Sequence, residues 1–579
     1  MRAALKLSKY LKPYKHFAIL APILMVLEVG MDLIQPTIMQ KIIDKGIATN
    51  DTQYIIMMFA AMILCAMIGW LGGAGCTYFS SKAAVNFASD VRADLYETIT
   101  YFANSNKDKF TLGKLITNLT NDIERLQRAL NMLLKIFVRG PFMFVGAVIV
   151  VFFTARDLFP VLFFVVPVLI ISLYIFIQLS IKLFRKVQES IDQVNTRVQE
   201  NLAGILVIKA FNRMRYQMKQ FATVNHQLTK RNMTADQVVA FLMPITQFVV
   251  NIGIVLALML GVVKVDAGAI EIGVIVAFIN YLMMIMNGLM SSSNVLIQIA
   301  RAIPSAERVV VVLEEQSDIT NIENPVKKEI QGNVKFDKVS FSYNKHVEPV
   351  LKEISFEAKA GSTVGIIGMT GSGKSTLIKL LGRLMDVDEG TIYIDNIPIQ
   401  QYDIDMLRNA MAFAPQKATL FSTTIEENLK YGKIDATKED IQEALFASNA
   451  FEFVEKLDHK EQHELTQGAT NLSGGQKQRL AMSRAIIRKP KILILDDTTS
   501  AVDSITEKII QRNMKEALKD STKFIVSSKI SSIKHADLIL VLEDGRIVAQ
   551  GTHEELLKMS EHYKEIVATQ VERGGAIDE

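Results

Sequence analysis

The chain has 579 residues, of which 50% are hydrophobic and 21% are charged. With a mean hydropathy of +0.24, it is too apolar for a soluble protein and too charged for a purely intramembrane one. The composition therefore predicts a membrane part joined to a soluble part. The formal net charge of +4 and the lack of a basic block exclude nucleic acid as an expected partner.

Apolar runs of about 20 residues, the length of a membrane-spanning helix, occur six times before residue 300 and not after it. The predicted spans are 17–40, 54–80, 130–154, 158–180, 238–263 and 272–299. The third span carries Lys135 and Arg139 at its leading end, where we expect both side chains to snorkel to the lipid headgroups. The pattern predicts a multi-pass membrane protein with the lipid bilayer as a partner.

The basic residues before the first span predict the orientation of the chain. Five of them occur there without an acidic residue: Arg2, Lys6, Lys9, Lys12 and Lys15. Cytoplasmic segments carry such an excess, so we expect the N-terminus on the cytoplasmic side of the cell membrane. Because the number of spans is even, everything after residue 300 is then cytoplasmic as well.

Two long stretches, 81–129 and 181–237, connect spans on this same side. Each lacks proline and contains a single glycine, Gly113 or Gly204, so each predicts a helical hairpin that extends its flanking spans. At a rise of about 1.5 Å per residue, arms of about 25 residues would reach about 37 Å below the bilayer. The hairpins are therefore long enough to contact a separate cytosolic domain.

A polar segment that includes Asn324-Pro325 marks a domain boundary. We assign residues 1–315 to a transmembrane domain, 316–332 to a linker and 333–579 to a soluble domain. In the soluble domain short β-branched runs alternate with helical patterns, which predicts an α/β structure.

Two acidic residues, Glu28 and Asp32, lie in the first predicted span. Their spacing of four places both carboxylates on one helix face at membrane depth, where charged groups facing lipid are unfavourable. They either shape a water-filled cavity or a polar contact, or they bind a cationic substrate or a proton.

One run in the soluble domain satisfies GxxxxGK[ST] between a strand-like and a helix-like segment. In this context backbone N–H groups and a helix N-terminus can cradle phosphates. The run and the residue after it are Gly368, Met369, Thr370, Gly371, Ser372, Gly373, Lys374, Ser375 and Thr376. We expect Lys374 to neutralise phosphate oxygens and Ser375 to bind Mg²⁺. Asp496 follows the apolar run 492–495 and is the matching metal-binding acid, so the two elements together predict a Mg²⁺-ATP site.

Between these elements lies a run that resembles the signature motif of ABC transporters: Leu472, Ser473, Gly474, Gly475 and Gln476. The whole chain, six spans followed by one α/β P-loop NTPase domain, resembles a half-transporter of the ABC exporters. The resemblance implies that Tyr343 stacks on adenine, that Gln416 is the Q-loop residue that binds Mg²⁺, and that residues 500–503, which end at Asp503, form the D-loop. It also implies that Ser473 contacts the γ-phosphate of nucleotide held by a second half-transporter, and that the hairpin tips, near Gly113 and just after Gly204, press on the nucleotide-binding domains.

Two residues depart from the family pattern. Asp497 stands where the family has its catalytic glutamate, directly after Asp496, the Walker B aspartate, and Ser528 stands where the family has its switch histidine. An aspartate withdraws the carboxylate by roughly 1.5 Å from a water that a general base must reach, and the serine removes an imidazole from the γ-phosphate. The pattern resembles the degenerate subunit of heterodimeric ABC exporters, which hydrolyses ATP poorly at its own site and supplies an intact signature to its partner's site.

The resemblance implies ATP-driven export of a small amphipathic or hydrophobic substrate, which could be drug-like, lipid, peptide or cationic, with ATP and Mg²⁺ as cofactors. Two alternatives stay open. One is a homodimeric exporter in which Asp497 still serves as the base, and the other is a regulatory or channel-like membrane ATPase that gates without pumping.

Overall fold

The chain forms two compact units in this computed structural model. The first comprises Met1–Tyr101 and Phe110–Glu315, and the second comprises Phe102–Lys109 and Gln316–Glu579. The structure describes residues 2–103, 106, 109–344 and 347–574, with the backbone alone at 293, 294, 296–298, 300, 301 and 571–574.

Six long helices make up most of the first unit, and we number them as the first to sixth membrane helices. They are Lys15–Lys41, Thr52–Thr100, Ile123–Thr154, Phe159–Ala203, Met214–Asp266 and Ile272–Leu313. The shorter helices are Arg2–Leu7, Leu112–Thr117 and Ile205–Ala210, and π-helical turns occur at Ile42–Ile47 and Asn118–Asp122. Among the described residues six helical segments are long and apolar enough to cross a membrane, which confirms the predicted number of spans.

Both predicted hairpins are present, because the membrane helices continue well beyond their apolar segments. The second membrane helix runs to Thr100 and the helix Leu112–Thr117 follows the first connection, in which residues 104, 105, 107 and 108 lie outside the described part of the chain. The fourth membrane helix ends at Ala203, and Gly204 leads into the short helix Ile205–Ala210. Leu206 and Val207 of this short helix are exposed.

The first unit has an apolar core among the third to sixth membrane helices. Tyr281 and Leu282 of the sixth helix are fully buried, and the Tyr281 hydroxyl donates to the carbonyl of Leu33 at 2.8 Å. Gly253 of the fifth helix permits close approach, since a Cβ there would lie 2.7 Å from Cγ2 of Val165. Small residues allow membrane helices to pack at short distance.

The described part of the second unit contains two sheets. Its strands are β1 (Val334–Phe341), β2 (Leu351–Ala358), β3 (Thr363–Gly368), β4 (Glu389–Ile394), β5 (Ile397–Pro398), β6 (Met411–Ala414), β7 (Ile492–Asp496), β8 (Thr522–Val526), β9 (Leu538–Glu543) and β10 (Arg546–Gly551). The larger sheet has the order β10-β9-β3-β8-β7-β6, and the smaller one has the order β2-β1-β4-β5. The strands from β9 to β6 are parallel to their neighbours, whereas β10 and the smaller sheet pair in antiparallel fashion.

Helices cover these sheets, which confirms the predicted α/β domain. They are Lys374–Leu381, Ile404–Ala410, Ile425–Lys430, Lys438–Ala447, Phe451–Val454, Gly474–Ile486, Ser504–Ala517, His553–Met559 and Glu561–Gly574. Strand β7 is buried along its whole length, as expected of a continuous apolar run in a parallel sheet. Strands β3, β8 and β7 are neighbours, so Gly368, Val526 and Asp496 end at the same edge of the sheet. Ligands bind at this edge in parallel α/β sheets.

Candidate nucleotide-binding site

The P-loop turns tightly between β3 and the helix Lys374–Leu381. Gly371 and Gly373 have φ angles of +90° and +98°, in the left-handed region that favours glycine. No atom beyond its chain neighbours lies within 4 Å of a Cβ built on Gly371, so the backbone is open to a ligand there. The hydroxyl of Ser372 is buried without a hydrogen-bond partner among the described residues. This open turn at a helix N-terminus fits a phosphate chain.

A cavity of about 300 Å³ adjoins this turn. Ten of the predicted site residues line it: Thr370, Gly371, Gly373, Lys374, Ser375, Thr376, Gln416, Asp496, Asp497 and Ser528. Val350 and Val526 complete the lining. The fold thus brings the P-loop, the acid after β7, the Q-loop glutamine and both departures from the family pattern to one place.

Two of the three residues expected to bind Mg²⁺, Ser375 and Asp496, contact each other, whereas the third, Gln416, contacts Asp497 through its amide nitrogen. The Ser375 hydroxyl donates to Oδ1 of Asp496 at 3.1 Å, and Nε2 of Gln416 lies 3.4 Å from Oδ2 of Asp497. Hydroxyl, carboxylate and amide oxygens suit this hard cation, so the residues present fit Mg²⁺. The metal would supply charge neutralisation at the phosphates.

Two charged groups in the cavity have shifted pKa values. Burial lowers the pKa of Lys374, and the nearby Asp497 and Asp496 carboxylates counter this only in part. Its ammonium group donates to the carbonyls of Gly368 at 2.8 Å and Met369 at 2.7 Å. Burial also raises the pKa of Asp496, against the lowering effect of the Ser375 hydroxyl. Both groups are therefore held near the P-loop with their charged forms partly desolvated.

Tyr343 lies beside the P-loop helix, although it does not line the cavity itself. Its hydroxyl is 3.1 Å from Oγ1 of Thr376, and its ring meets Phe341 edge-on with centroids 5.2 Å apart. The side chain is 53% exposed. An aromatic ring that is fixed at one edge and exposed elsewhere can stack on a base.

The residues of the signature run lie outside this cavity. Ser473 is the N-cap of the helix Gly474–Ile486, and Gln476 completes a reciprocal capping box. Leu472 is buried, and a Cβ on Gly475 would lie 2.8 Å from the carbonyl of Ala501. Ten predicted nucleotide-binding residues do not line the cavity: Tyr343, Gly368, Met369, Ser372, Leu472, Ser473, Gly474, Gly475, Gln476 and Asp503.

One residue that the sequence did not single out joins the signature helix to the D-loop. Nε2 of Gln478 donates to the Ser500 hydroxyl, and Oε1 of Gln478 accepts from the N–H of Ala501, both at 3.1 Å. Ser500 in turn donates to the carbonyl of Asp497 at 2.9 Å. Asp503 accepts from the N–H of Thr506 and caps the helix Ser504–Ala517, and these bonds lower its pKa. The position of Gln478 two residues after the signature was the available signal.

Comparison with known proteins supports the same interpretation of both units. The family model described as "ABC transporter transmembrane region" matches residues 18–290, and the one described as "ABC transporter" matches residues 351–500. The chain is 37% identical over 573 residues to YfiB of Bacillus subtilis, an uncharacterized ABC transporter ATP-binding protein, with 99% of both chains covered. This chain belongs to the ABC transporter family.

Other relatives of the transporter extend along its whole length. It is 32% identical over 569 residues to an uncharacterized ABC transporter ATP-binding protein of Mycobacterium tuberculosis, with 97% of both chains covered. A solved structure of a bacterial Atm1-family ABC exporter with ATP bound superposes with a TM-score of 0.81 at 23% identity, over 96% of this chain and 99% of the other. The transporter therefore has the ABC exporter fold, and its ATPase domain is one that couples ATP hydrolysis to transport.

The nucleotide-binding unit of the transporter has a second cavity, of about 410 Å³. Phe421 and Tyr431 stack in its wall with centroids 4.4 Å apart. Arg484 also lines it and donates to the carbonyl of Thr419 at 2.8 Å. Burial lowers the pKa of Arg484. The cavity is mainly apolar, with arginines at its walls.

The transporter's first unit contains a charged cluster that corrects one prediction. Arg139 of the third membrane helix pairs with Glu28 at 2.8 Å and with Asp32 at 3.2 Å, and Lys135 donates to the Thr77 hydroxyl at 2.8 Å. The prediction that Arg139 snorkels to the headgroups is wrong, because carboxylates of the first helix bind its guanidinium, whereas snorkelling of Lys135 stays a prediction. The single guanidinium that contacts both Glu28 and Asp32 confirms that these carboxylates share a helix face.

Proposed function

We propose that this transporter is one half of a heterodimeric ABC exporter in which its own nucleotide site is degenerate. The supporting observation is the contrast between two sites in one domain. Asp497 and Ser528 line the P-loop cavity where the family has glutamate and histidine, whereas Ser473 stands at the N-terminus of an intact, capped signature helix. ATP binding at this P-loop helps to close the paired domains, and hydrolysis at the partner's site reopens them.

The residues at this chain's own P-loop site account for slow ATP hydrolysis there. A general base must come within about 3 Å of the attacking water, and the Asp497 carboxylate is one methylene shorter than glutamate. Its Oδ2 also lies 3.4 Å from the amide of Gln416. Ser528 offers a hydroxyl where an imidazole would reach the γ-phosphate. Two groups that serve one reaction centre are thus altered together.

The signature supports the opposite role at the partner's site. The N–H groups at the start of the helix Gly474–Ile486, together with the Ser473 hydroxyl, form a preorganised donor set. The P-loop cavity of the same chain does not include them. In the proposed assembly they face nucleotide bound by the second half-transporter.

The membrane orientation and the transported class extend this proposal. The basic N-terminal segment supports a cytoplasmic position for the N-terminus and the nucleotide-binding domain, and we propose that the transporter moves amphipathic or hydrophobic molecules out of the cell. We infer that Glu28 and Asp32 line the pathway, because charged residues at membrane depth face water or polar partners. Both carboxylates pair with Arg139, and we infer that they also attract a cationic group in the substrate.

The hairpin tips provide the proposed mechanical link. Leu206 and Val207 of the short helix Ile205–Ala210 are exposed, as is Phe211 directly after it. We infer that, in the assembled transporter, such a tip of one half-transporter inserts into the apolar cavity next to Phe421 and Tyr431 of the other half. Insertion would bury apolar surface on both elements and would transmit closure of the nucleotide-binding domains to the membrane helices.

Two substitutions in one domain test the heterodimer proposal. Asp497→Asn should scarcely change ATP hydrolysis by the assembled transporter, because the base that it removes is badly placed. Ser473→Ala should lower the rate strongly, by about 10²-fold if a donor to the developing charge is lost. A homodimer with two working sites predicts that both substitutions are severe. Vigorous hydrolysis by this chain purified alone would contradict the proposal.

Vesicle transport separates a pump from a gate. Inverted vesicles expose the cytoplasmic face, so cationic or neutral dyes are added outside and their uptake is measured. Uptake should depend on ATP hydrolysis at the partner's site. Transport down a gradient that continues when hydrolysis is blocked would indicate a channel-like ATPase. Replacing Glu28 by Gln and Asp32 by Asn should weaken transport of cationic dyes more than that of neutral dyes. An equal loss of both would assign the two carboxylates a purely structural role.

A further inference from the structure

The segment that follows β8 carries Ser528 and is held by a side chain from the C-terminal helix Glu561–Gly574. Nε2 of Gln570 donates to the carbonyl of Ser528 at 2.8 Å, and its Oε1 accepts from the N–H of Ile530 at 2.9 Å. The two atoms of one amide therefore pair with the backbone on both sides of Lys529, as a neighbouring strand would. This arrangement restricts the position of Ser528 at the edge of the nucleotide cavity.

Lys529 lies between the two backbone groups that Gln570 holds, an arrangement that we call the clamp. Its side chain extends over the D-loop. Its ammonium group lies 3.4 Å from the carbonyl of Val502 and 3.5 Å from that of Thr499. Its N–H donates to the Ser527 hydroxyl at 3.0 Å. The direction of the Lys529 side chain thus depends on the backbone that Gln570 holds. This cation stabilises the carbonyl of Val502 in the D-loop and that of Thr499 directly before it.

A buried carboxylate joins the same two segments by a second route. Glu507 is only 2% exposed, and its Oε1 accepts hydrogen bonds from the hydroxyls of Thr499 at 2.7 Å and of Ser532. Its Oε2 has no hydrogen-bond partner within the described chain. A buried carboxylate that depends on two hydroxyl donors holds them together, because losing either donor would leave it further unsatisfied.

We propose that Gln570 is a positioning residue that couples nucleotide at this chain's own P-loop to the D-loop, and through the D-loop to the partner's hydrolytic site. Ser528 lies at the cavity, and the clamp fixes the backbone on both sides of Lys529. A shift of Ser528 therefore moves Lys529, which contacts the D-loop at the carbonyl of Val502. The D-loop also contacts the signature helix through Gln478, so the segment is connected to the surface that faces the partner. This inference rests on the proposed heterodimer and adds a role for a site that hydrolyses ATP slowly.

The test uses the full transporter as it assembles in the membrane. Gln570→Glu keeps the shape of the side chain and the acceptor for Ile530, but it loses the donor to Ser528 and places a carboxylate oxygen against that carbonyl. Gln570→Ala removes both bonds. Thr569→Ala is the matched control, since Thr569 is exposed and its hydroxyl bonds only to Glu565 of its own helix.

Gln570→Glu should lower kcat for ATP hydrolysis about five-fold, the factor for loss of one neutral hydrogen bond, and Gln570→Ala should lower it at least as much because it loses both bonds. ATP affinity at the own site should stay unchanged, because Lys374 and the P-loop are untouched. Hydrogen exchange should increase in residues 527–532 and in the D-loop that Lys529 contacts, and not elsewhere in the domain. Thr569→Ala should match the unmodified protein in all three measurements.

An unchanged kcat in both variants would overturn the proposal that the clamp couples the two sites. A loss of kcat together with lower ATP affinity and increased hydrogen exchange throughout the domain would also overturn it, because this combination indicates a structural role alone. Failure of the nucleotide site itself is detected separately. If Lys374→Ala binds ATP as tightly as the unmodified chain, then the assignment of the site is wrong whatever the Gln570 variants do. The clamp alone fails if Lys374→Ala lowers affinity while Gln570→Glu has no effect on kcat.

Discussion

Arg139 and Glu28 form an ion pair within the membrane-spanning part of the transporter, with Nη1 2.8 Å from Oε1. Asp32 receives the second nitrogen of the same guanidinium. Gly73 of the second helix leaves space for this arrangement, since a Cβ there would lie 2.7 Å from Oε2 of Glu28. Three helices therefore meet at one charged cluster. The first and third helices supply its charged groups, and the second helix leaves the space for them.

The first prediction is that Arg139→Ala destabilises the transporter by about 2 kcal/mol, because it leaves two carboxylates without a cation at membrane depth. Thermal unfolding of the detergent-solubilised protein measures this change. Arg128→Ala on the same helix is the control, since its pair with Glu124 is solvent-exposed and contributes little.

A triple variant distinguishes charge from packing at this cluster. Combining Arg139→Gln with Glu28→Gln and Asp32→Asn removes every charge and keeps similar side-chain volumes. Replacement of a buried ion network by neutral groups is often tolerated, so the triple variant should recover most of the stability lost in Arg139→Ala. If it is as unstable as the single variant, the unpaired charges are not the cause.

The second prediction concerns ATP binding at this chain's own P-loop. Lys374→Ala and Tyr343→Ala should each weaken nucleotide affinity, the first through loss of charge at the phosphates and the second through loss of stacking on adenine. A fluorescent ATP analogue titrated into the purified transporter measures both. Lys359→Ala, at an exposed lysine of the same domain, should bind as before, and unchanged affinity in both test variants would remove the site assignment.

The third prediction is a narrowed pH range for Mg²⁺-ATP binding at this site. Phosphate binding needs protonated Lys374, whose pKa is lowered by burial, so affinity should fall at a lower alkaline pH than for an ordinary lysine. Metal binding needs deprotonated Asp496, whose pKa is raised by burial, so affinity should also fall at a higher acidic pH than for an ordinary aspartate. Affinity measured against pH should show both limbs.

The acidic limb can be assigned to its residue. It should disappear when binding is measured with ATP and a chelator instead of Mg²⁺, because the carboxylate is then no longer a metal ligand. It should likewise be absent in Asp496→Asn, which starts from lower Mg²⁺-dependent affinity. Persistence of the acidic limb in both experiments would place the titrating group elsewhere.

The local features of the site could be predicted from the sequence because their residues are close in the chain. The nine residues from Gly368 to Thr376 determine a turn and a helix start by themselves, and the run ending at Asp496 determines a buried strand. Arg139 shows the limit of such reasoning, because helical spacing indicates which residues share a face and not which helix that face meets. Its charge and position suggested the headgroups, whereas its partners lie more than a hundred residues away.

The same limit applies within the nucleotide-binding unit. Gln570 and Glu507 belong to no motif, and each acts by hydrogen bonds to segments distant in sequence. Amphipathic periodicity predicts that their helices exist. It gives no information on whether a buried amide or carboxylate meets a donor from another element, since that depends on tertiary packing.

The fourth prediction concerns Asp122 and Arg308, which join the base of the third membrane helix to the sixth. The guanidinium binds Asp122 through two nitrogens at 2.9 and 2.5 Å, and Ser305 donates to the same carboxylate at 2.8 Å. The Asp122 side chain is only 1% exposed. Arg308→Lys keeps the charge but loses the two-point geometry, so transport per ATP hydrolysed should fall while ATP affinity is unchanged.

The exposed pair between Lys6 and Glu314 is the control for this effect. Both of its side chains are more than half exposed, so Lys6→Gln should leave stability and transport per ATP nearly unchanged. Transport and hydrolysis measured together in vesicles give the ratio for each variant. Equal effects of Lys6→Gln and Arg308→Lys would show that burial of the Asp122 carboxylate is unimportant for coupling.

The last prediction is that the own site can be restored by two substitutions. Asp497→Glu returns the missing methylene to the general base, and Ser528→His returns an imidazole to the same cavity, which both positions line. With the partner's site inactivated, the double variant should hydrolyse ATP at least about 10²-fold faster than the parent, the contribution typical of a well-placed general base. Each single variant should recover less, because the two groups act on one reaction centre.

The double variant combined with Lys374→Ala should lose the gain in ATP hydrolysis, which ties the new activity to this P-loop. If the double variant binds ATP normally and stays as slow as the parent, then something other than Asp497 and Ser528 limits hydrolysis at this site, and the proposed cause of its degeneracy is wrong.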